Sequence, residues 1–189
     1  KKPIYYCNLV GAQDELIFDG QSLGLSSDGK LVGLGKKFSE DIIYIDSNAD
    51  FAIPKPKIDK YSEVYNALAL GVKDYFHKTF HSEAVIGLSG GIDSSLVACI
   101  ATDALGPDKV HGVSLPSNIS SDHSKDDAMQ LAGNLNIDFR SISIGNIVDE
   151  YDDTLKNEFF GTEKNVAEEN IQARIRGDIL MALSNKYNF

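Results

Sequence analysis

Apolar residues fall along this chain in two rhythms. Over residues 3–45, short runs rich in β-branched and aromatic residues alternate with turn signals, which is a pattern of strands. It predicts a buried strand over 3–10, a turn at 11–14, an extended piece over 15–18, a turn at Asp19-Gly20 and a further strand over 38–45. Residues 22–26 and 30–34 flank Ser27-Asp28-Gly29 as a hairpin. Such a set is too short and too rich in open edges to stand alone.

From residue 61 the period becomes helical. Val64, Ala67, Leu68, Val72, Tyr75 and Phe76 predict a helix over 61–79 that packs on a sheet behind residues 84–96. An apolar β-favouring run at 84–88 predicts a strand. The helix after it has Leu96, Val97, Ile100, Ala101, Ala104 and Leu105 as its expected core face and ends at Gly106-Pro107. A strand over 110–115, a helix over about 122–134, a strand over 139–144 and a last helix with a stripe at Ile171, Ile175, Ile179 and Leu183 complete the pattern. Strand, helix, strand at this spacing is a right-handed parallel crossover. It places the loop after residue 88 at the carboxyl edge of the sheet, where open α/β sheets bind ligands. Between the two regimes, Pro54-Lys55-Pro56-Lys57 sustains neither a helix nor a central strand, so residues 48–60 read as a linker.

Length and composition narrow the class. The 189 residues suffice for one domain with a good core, or one domain and part of another. No apolar run reaches the ~20 residues of a membrane helix, and no signal peptide opens the chain. Two cysteines, Cys7 and Cys99, make no disulfide framework, which points to a reducing, cytoplasmic setting. Residues 1–60 hold eight lysines against nine acids, whereas residues 61–189 hold ten Lys/Arg against nineteen acids. That acidic balance argues against nonspecific nucleic-acid binding, so any anion site has to be local. The first residue is Lys1, and the chain stops just after a long helical pattern; both suggest a fragment.

Chemistry concentrates at Gly87-Leu88-Ser89-Gly90-Gly91-Ile92-Asp93-Ser94, where a strand enters a glycine turn and leaves as a helix. Inward backbone N–H groups and the positive end of a helix dipole suit phosphate. Glycine lets the backbone approach closely, and Ser89, Ser94 and Ser95 bring hydroxyl donors. Asp93 makes sense beside an anion if Mg²⁺ rides on the phosphates, since that ion takes hard oxygen ligands. A plain serine-capped helix is the bland alternative. The loop lacks the Lys of a Walker A motif and the spacing of a dinucleotide turn.

These residues resemble the SGGxDS signature of the N-type ATP pyrophosphatases, which bind the pyrophosphate of ATP and transfer AMP to a carboxyl or carbonyl oxygen. A second resemblance lies upstream. Residues 6–22, from Tyr6-Cys7-Asn8 to Gly20-Gln21-Ser22, look like the closing part of a carbon-nitrogen hydrolase (nitrilase-like) domain. In that family a Glu-Lys-Cys triad cuts the glutamine amide; all three would precede Lys1. On this alignment Cys7 is not the nucleophile but a small hydrophobe in a strand.

On the last helix, Asn170 and Arg174 lie four apart and project together beside the apolar stripe. Arg174 and Arg176 sit about 200° apart on a helical wheel, so they cannot both face one small site. Arg174 is the expected site residue and Arg176 a structural partner for an acid. Ser120 and Ser121 either reach the nucleotide or cap a helix. His77 and His81 complement a helix C-terminus, His123 reads as surface, and Asp149-Glu150-Tyr151-Asp152-Asp153 as a solvated helix face rather than a metal cluster.

The loop, Pro116-Ser117, Ser120-Ser121 with Ser124 and Asp127, residues 169–177 and Leu180-Met181-Ala182-Leu183-Ser184-Asn185 together are similar to NAD synthetase, in its glutamine-dependent form. The resemblance implies an α/β fold, a Rossmann-like parallel sheet with flanking helices of the adenine nucleotide alpha hydrolase kind, preceded by a partial β-rich nitrilase-like segment. It implies domains at 1–47 (the end of the hydrolase), 48–60 (linker) and 61–189 (the ATP pyrophosphatase). The implied reaction is amidation of deamido-NAD through an adenylate, with ATP and Mg²⁺ and with ammonia from glutamine. Gly87 to Ser94 would hold phosphates, Asp93 the metal, and Asn170 and Arg174 deamido-NAD. A homo-oligomer is implied, with no nucleic acid or membrane partner. Later family motifs, including a second Mg²⁺ ligand, would follow residue 189, and the chain alone is expected not to complete NAD synthesis. The alternatives are another N-type ATP pyrophosphatase, such as a GMP synthetase-like enzyme, or a nucleotide-binding module without complete catalysis.

Overall fold

The computed structural model describes residues 2–46, 51–57, 59–118 and 120–189. Part of the expected linker and Ile119 lie outside the described residues. Contacts divide the chain into two units, Lys1–Phe80 and His81–Phe189.

In the first unit, β1 (Ile4–Tyr6), β4 (Leu23–Leu25) and β5 (Leu31–Leu34) form one antiparallel sheet, while β2 (Val10–Gln13) and β3 (Leu16–Asp19) form a separate hairpin. The β4–β5 hairpin matches the sequence pattern. The expected buried strand over 3–10 does not form as one element. It divides into β1 and the start of β2, because Asn8 is drawn out of line. Its backbone N–H donates to Ser22 Oγ at 3.0 Å and its side-chain amide to the Gly20 carbonyl at 2.7 Å. β1 is exposed, with Ile4, Tyr5 and Tyr6 all more than half accessible, and Cys7 is exposed between the strands rather than packed in one. The expected turn at 11–14 moves to Asp14-Glu15, since Gln13 pairs with Leu16; Asp14 takes φ 51°, a left-handed conformation that Asp tolerates better than most residues.

Residues 38–45 were expected as a strand and form none. Phe38 bends the chain at φ 56°. Beyond it Ile43 and Ile45 lie across β4 and β5. A Cβ added at Gly24 or Gly33 would meet Ile45 at 2.5–2.6 Å. Their alternation is that of side chains covering a glycine-lined sheet face, not of a ladder.

Helix α1 (Lys60–Lys78) starts at Asp59, whose side chain accepts from the Tyr61 N–H, and its last turn carries His77 as expected. It packs on β2 and β3, within the first unit. Asp74 carries that contact: its Oδ2 accepts from the Ala12 N–H at 2.7 Å and from Lys78 Nζ at 3.3 Å, while Lys78 also donates to the Ala12 carbonyl. Partial burial pushes the Asp74 carboxyl up, but the Ala12 and Lys78 hydrogen bonds and nearby positive charge outweigh it and hold the group below its ordinary value.

The second unit is an α/β sandwich. Strands β6 (Ala84–Gly87), β7 (Val110–Ser114) and β8 (Asp138–Ser141) run parallel in that order. Between them run α2 (Ile92–Leu105) and α3 (Asp122–Leu135); α4 (Gly145–Leu155) and α5 (Val166–Tyr187) follow. One face of the sheet packs on α2 and α3 through Leu88, Ala98, Ala101, Val110, Ala128 and Ala132. The other packs on α4 and α5 through Val113, Leu115, Ile144 and Ile175, with Ile171, Ile179 and Leu183 beside them as the stripe predicts.

Two details depart from expectation. On α2, Ile100, Ala101 and Leu105 turn inward as expected and Ala98 joins them, while Leu96 and Val97 are about half exposed. Small alanines allow close approach of helix to sheet, so shape outranks bulk in choosing the face. β8 ends at Ser141 instead of Ile144, yet the chain remains tied to the extension of β7: Ile142 N–H donates to Ser114 O at 2.9 Å and Ile144 N–H to Pro116 O at 2.8 Å. No described helix is long and apolar enough to cross a membrane.

Candidate functional site

The loop after β6 is held from both sides. Leu88 donates its N–H to Val113 O at 2.8 Å and buries its side chain over Gly112, where a Cβ would come within 2.6 Å of it. The chain then turns at Gly90, which has φ +79°; a Cβ there would lie 2.4 Å from the Ser124 carbonyl oxygen and 2.8 Å from its Cα. Both the conformation and the space therefore require glycine.

Gly91 is the N-cap of α2 and supplies no side-chain cap. The N–H groups of Ile92, Asp93 and Ser94 in the first turn have no helical acceptor. The serines, expected to donate to phosphate, bond within the loop. Ser89 N–H donates to Ser94 Oγ at 3.2 Å, Gly91 N–H to Ser89 Oγ at 3.2 Å, and Ser94 and Ser95 hydroxyls both donate to Gly91 O, at 3.0 and 2.9 Å. They shape the turn and leave the helix-end N–H groups as its open donors. Asp93 is exposed in the same first turn.

Against this loop lies a pocket of about 310 Å³ at the carboxyl edge of the sheet. Gly87, Leu88 and Ser89 form one wall and the end of β7, through Pro116, another; Ser120 lies just before α3, Ser124 and Lys125 come from its first turn, and Arg176 and Leu180 from α5. Ser121 is the N-cap of α3, accepting from the Ser124 N–H at 3.2 Å. Ser120 accepts from the Ser117 N–H at 2.9 Å and lines the pocket. Ser121 thus takes the capping role, and Ser120 faces the pocket. His123 is exposed.

Of the two arginines on α5, it is Arg176 that lines the pocket. Its Nε donates to the Leu115 carbonyl at 3.0 Å, so its partner is a carbonyl and not the expected acid. Asn170 and Arg174 are both exposed and lie outside that lining. The wheel separated the two arginines without deciding which faced the sheet. A usable signal was Leu180, one helical turn after Arg176, which rests on Gly87 at the end of β6. Lys125, held by Asp122 at 3.0 Å, had no sequence signal.

The acidic stretch on α4 is partnered rather than clustered: Asp149 accepts from the Asn118 amide at 3.2 Å, and Asp152 pairs with Lys164 at 3.2 Å. Among the described residues no group of three or more His, Cys, Asp or Glu side chains is placed to hold a metal. Asp93 fits a different kind of metal site. It is an exposed carboxylate beside open N–H donors, and Mg²⁺ is commonly held by one or two carboxylates together with substrate phosphates and water.

A family profile described as NAD synthase matches residues 64–189. A glutamine-dependent NAD(+) synthetase of Synechocystis sp. is 46% identical over 192 residues, which take in 98% of this chain and 34% of that protein. One from Thermotoga maritima is 40% identical over 221 residues, covering 97% of this chain and 38% of its own length. Among solved structures, the glutamine-dependent NAD+ synthetase of Acinetobacter baumannii in complex with ADP matches with a TM-score of 0.91 at 36% identity, over 97% of this chain and 36% of that one. The chain thus spans about a third of the length of these relatives. With that profile matching two thirds of its residues, the chain belongs to the NAD synthase family.

Proposed function

We propose that this chain carries the ATP site of a glutamine-dependent synthetase that amidates deamido-NAD to NAD through an adenylated intermediate. The observation that carries the reading is Gly90, wedged against the Ser124 backbone in the turn that leads from Ser89, which lines the pocket, to the uncapped start of α2. Residues 1–47 then close a carbon-nitrogen hydrolase domain that supplies ammonia, 48–60 link, and 61–189 begin the ATP pyrophosphatase domain, in a protein that assembles as a homo-oligomer.

In this reading Gly87 to Ser94 hold the phosphates of ATP, chiefly through backbone N–H groups and the helix dipole. The nicotinate carboxylate attacks the α-phosphate, pyrophosphate leaves onto the loop, and ammonia then displaces AMP to give the amide. The loop's donors are oriented before the reaction and stabilise charge as it develops on the leaving group. Asp93 holds Mg²⁺, which supplies charge neutralisation on the phosphates when bound. Asn170 and Arg174, on the exposed side of α5, hold deamido-NAD outside the pocket. No side chain acts as a nucleophile in the synthetase half.

The full-length protein is assayed for pyrophosphate release and NAD formation from ATP, Mg²⁺ and deamido-NAD, with glutamine or ammonium, beside Asp93→Ala. NAD formed with either nitrogen source, and lowered roughly 10-fold or more in the variant, supports the assignment. Pyrophosphate without NAD redirects it to another acyl acceptor, and silence throughout removes it.

A further inference from the structure

We infer that Arg176 is the anion-binding residue of the edge pocket, and that its guanidinium receives the α-phosphate of the bound nucleotide. The inference rests on the proposed ATP site. Arg140 donates to Asp138 at 3.1 Å and lies over the Tyr187 ring, and Arg174 is exposed to water. Arg176 is half-buried, and its hydrogen bond goes to the neutral Leu115 carbonyl. No Asp or Glu of the described residues lies within ion-pair distance of it.

A cation drawn partly out of water without a counter-charge is unfavourable until an anion joins it. Anchoring through Nε fixes the guanidinium plane and leaves both terminal nitrogens as a fork for two oxygens. The surroundings select the same ligand: Arg176 and Lys125 line the pocket with Ser89, Ser120 and Ser124, and no Asp or Glu lines it, in a chain whose net charge is −10. The loop takes the departing pyrophosphate in the proposed reaction, so the phosphate that remains with the nucleoside falls to the arginine that lines the pocket.

The competing role is structural, a tie between α5 and the end of β7. Binding of AMP, ATP and inorganic pyrophosphate to the full-length protein is measured by calorimetry for wild type, Arg176→Met and Arg176→Lys, with thermal unfolding of each. Arg176→Met is expected to weaken AMP and ATP binding by about 10- to 100-fold and to leave pyrophosphate binding unchanged, with Arg176→Lys recovering part of the loss because it keeps the charge but not the fork. Unchanged AMP affinity in Arg176→Met overturns the inference alone. So does Arg176→Lys as weak as Arg176→Met with both melting early, which is the structural tie. Wild type that binds neither AMP nor ATP overturns the ATP site and the inference together.

Discussion

Gly90 shows how one backbone angle can hold a site. An L-side chain at φ +79° costs about 1–2 kcal/mol from the left-handed conformation alone, and the clash with Ser124 comes on top. Gly90→Ala is therefore expected to lower stability by at least that amount and to abolish ATP binding, as read by thermal unfolding and calorimetry. ATP binding retained at wild-type strength would show that the loop is not the phosphate site. The glycine itself was legible in the run Ser89-Gly90-Gly91, because turn chemistry is local. Its partner was not: Ser124 lies far along the chain and meets Gly90 only once α3 is placed. The same holds for Arg176 and Arg174, two similar residues on one helix turn. A helical wheel states that they diverge, and only the packing of Leu180 on Gly87 states which one turns inward.

Among elements, α1 is joined to the β2–β3 hairpin through a carboxylate, and that makes the joint sensitive to acid. Asp74 has its folded-state value lowered, so its contribution to stability is present above the ordinary carboxylate range near pH 4. It is lost as the pH falls through the lowered value. The stability difference between wild type and Asp74→Asn, from denaturant midpoints between pH 7 and 2, should be full at neutral pH and close at the acid end; a gap that widens toward acid would refute the assignment. A second tie gathers the strands. His111 on β7 sits between Glu83, at 2.8 Å, and Asp138, at 3.3 Å, and stacks on Phe189 with ring centroids 3.9 Å apart. His111→Phe keeps the stack and removes both ring nitrogens. Because Glu83 and Asp138 are partly exposed and can turn to water, the expected cost is about 1 kcal/mol rather than the larger penalty of an orphaned buried group, measured by denaturant unfolding. Residues 38–45 teach the opposite lesson about elements: alternation identified which side chains face the sheet, but pairing needs a free neighbouring edge, and here the isoleucines cover a face instead.

At the scale of the molecule, the second unit has two cores, one on each face of a three-stranded parallel sheet. Ile175 joins α5 to the face that carries Val113 and Leu115, at 4% exposure. Ile175→Ala should cost about 2–5 kcal/mol and, by loosening α5, weaken ATP binding through Arg176. Equilibrium unfolding with a nucleotide titration tests both, and a stability loss under about 1 kcal/mol would deny the residue its place in the core. The sequence by itself determined the order of strands and helices in this unit, the loop at the sheet edge and the glycine it needs. Hydrophobic period, helix stops and turn residues are local, and a parallel crossover leaves little freedom in where its loop emerges. The tertiary structure decided that Ala98 rather than Leu96 and Val97 turns inward on α2, that α1 joins the hairpin, that residues 38–45 cover a sheet, and that Arg176 faces the pocket. Each of those depends on space left between elements distant in sequence, and burial there is settled by fit, which no local pattern contains.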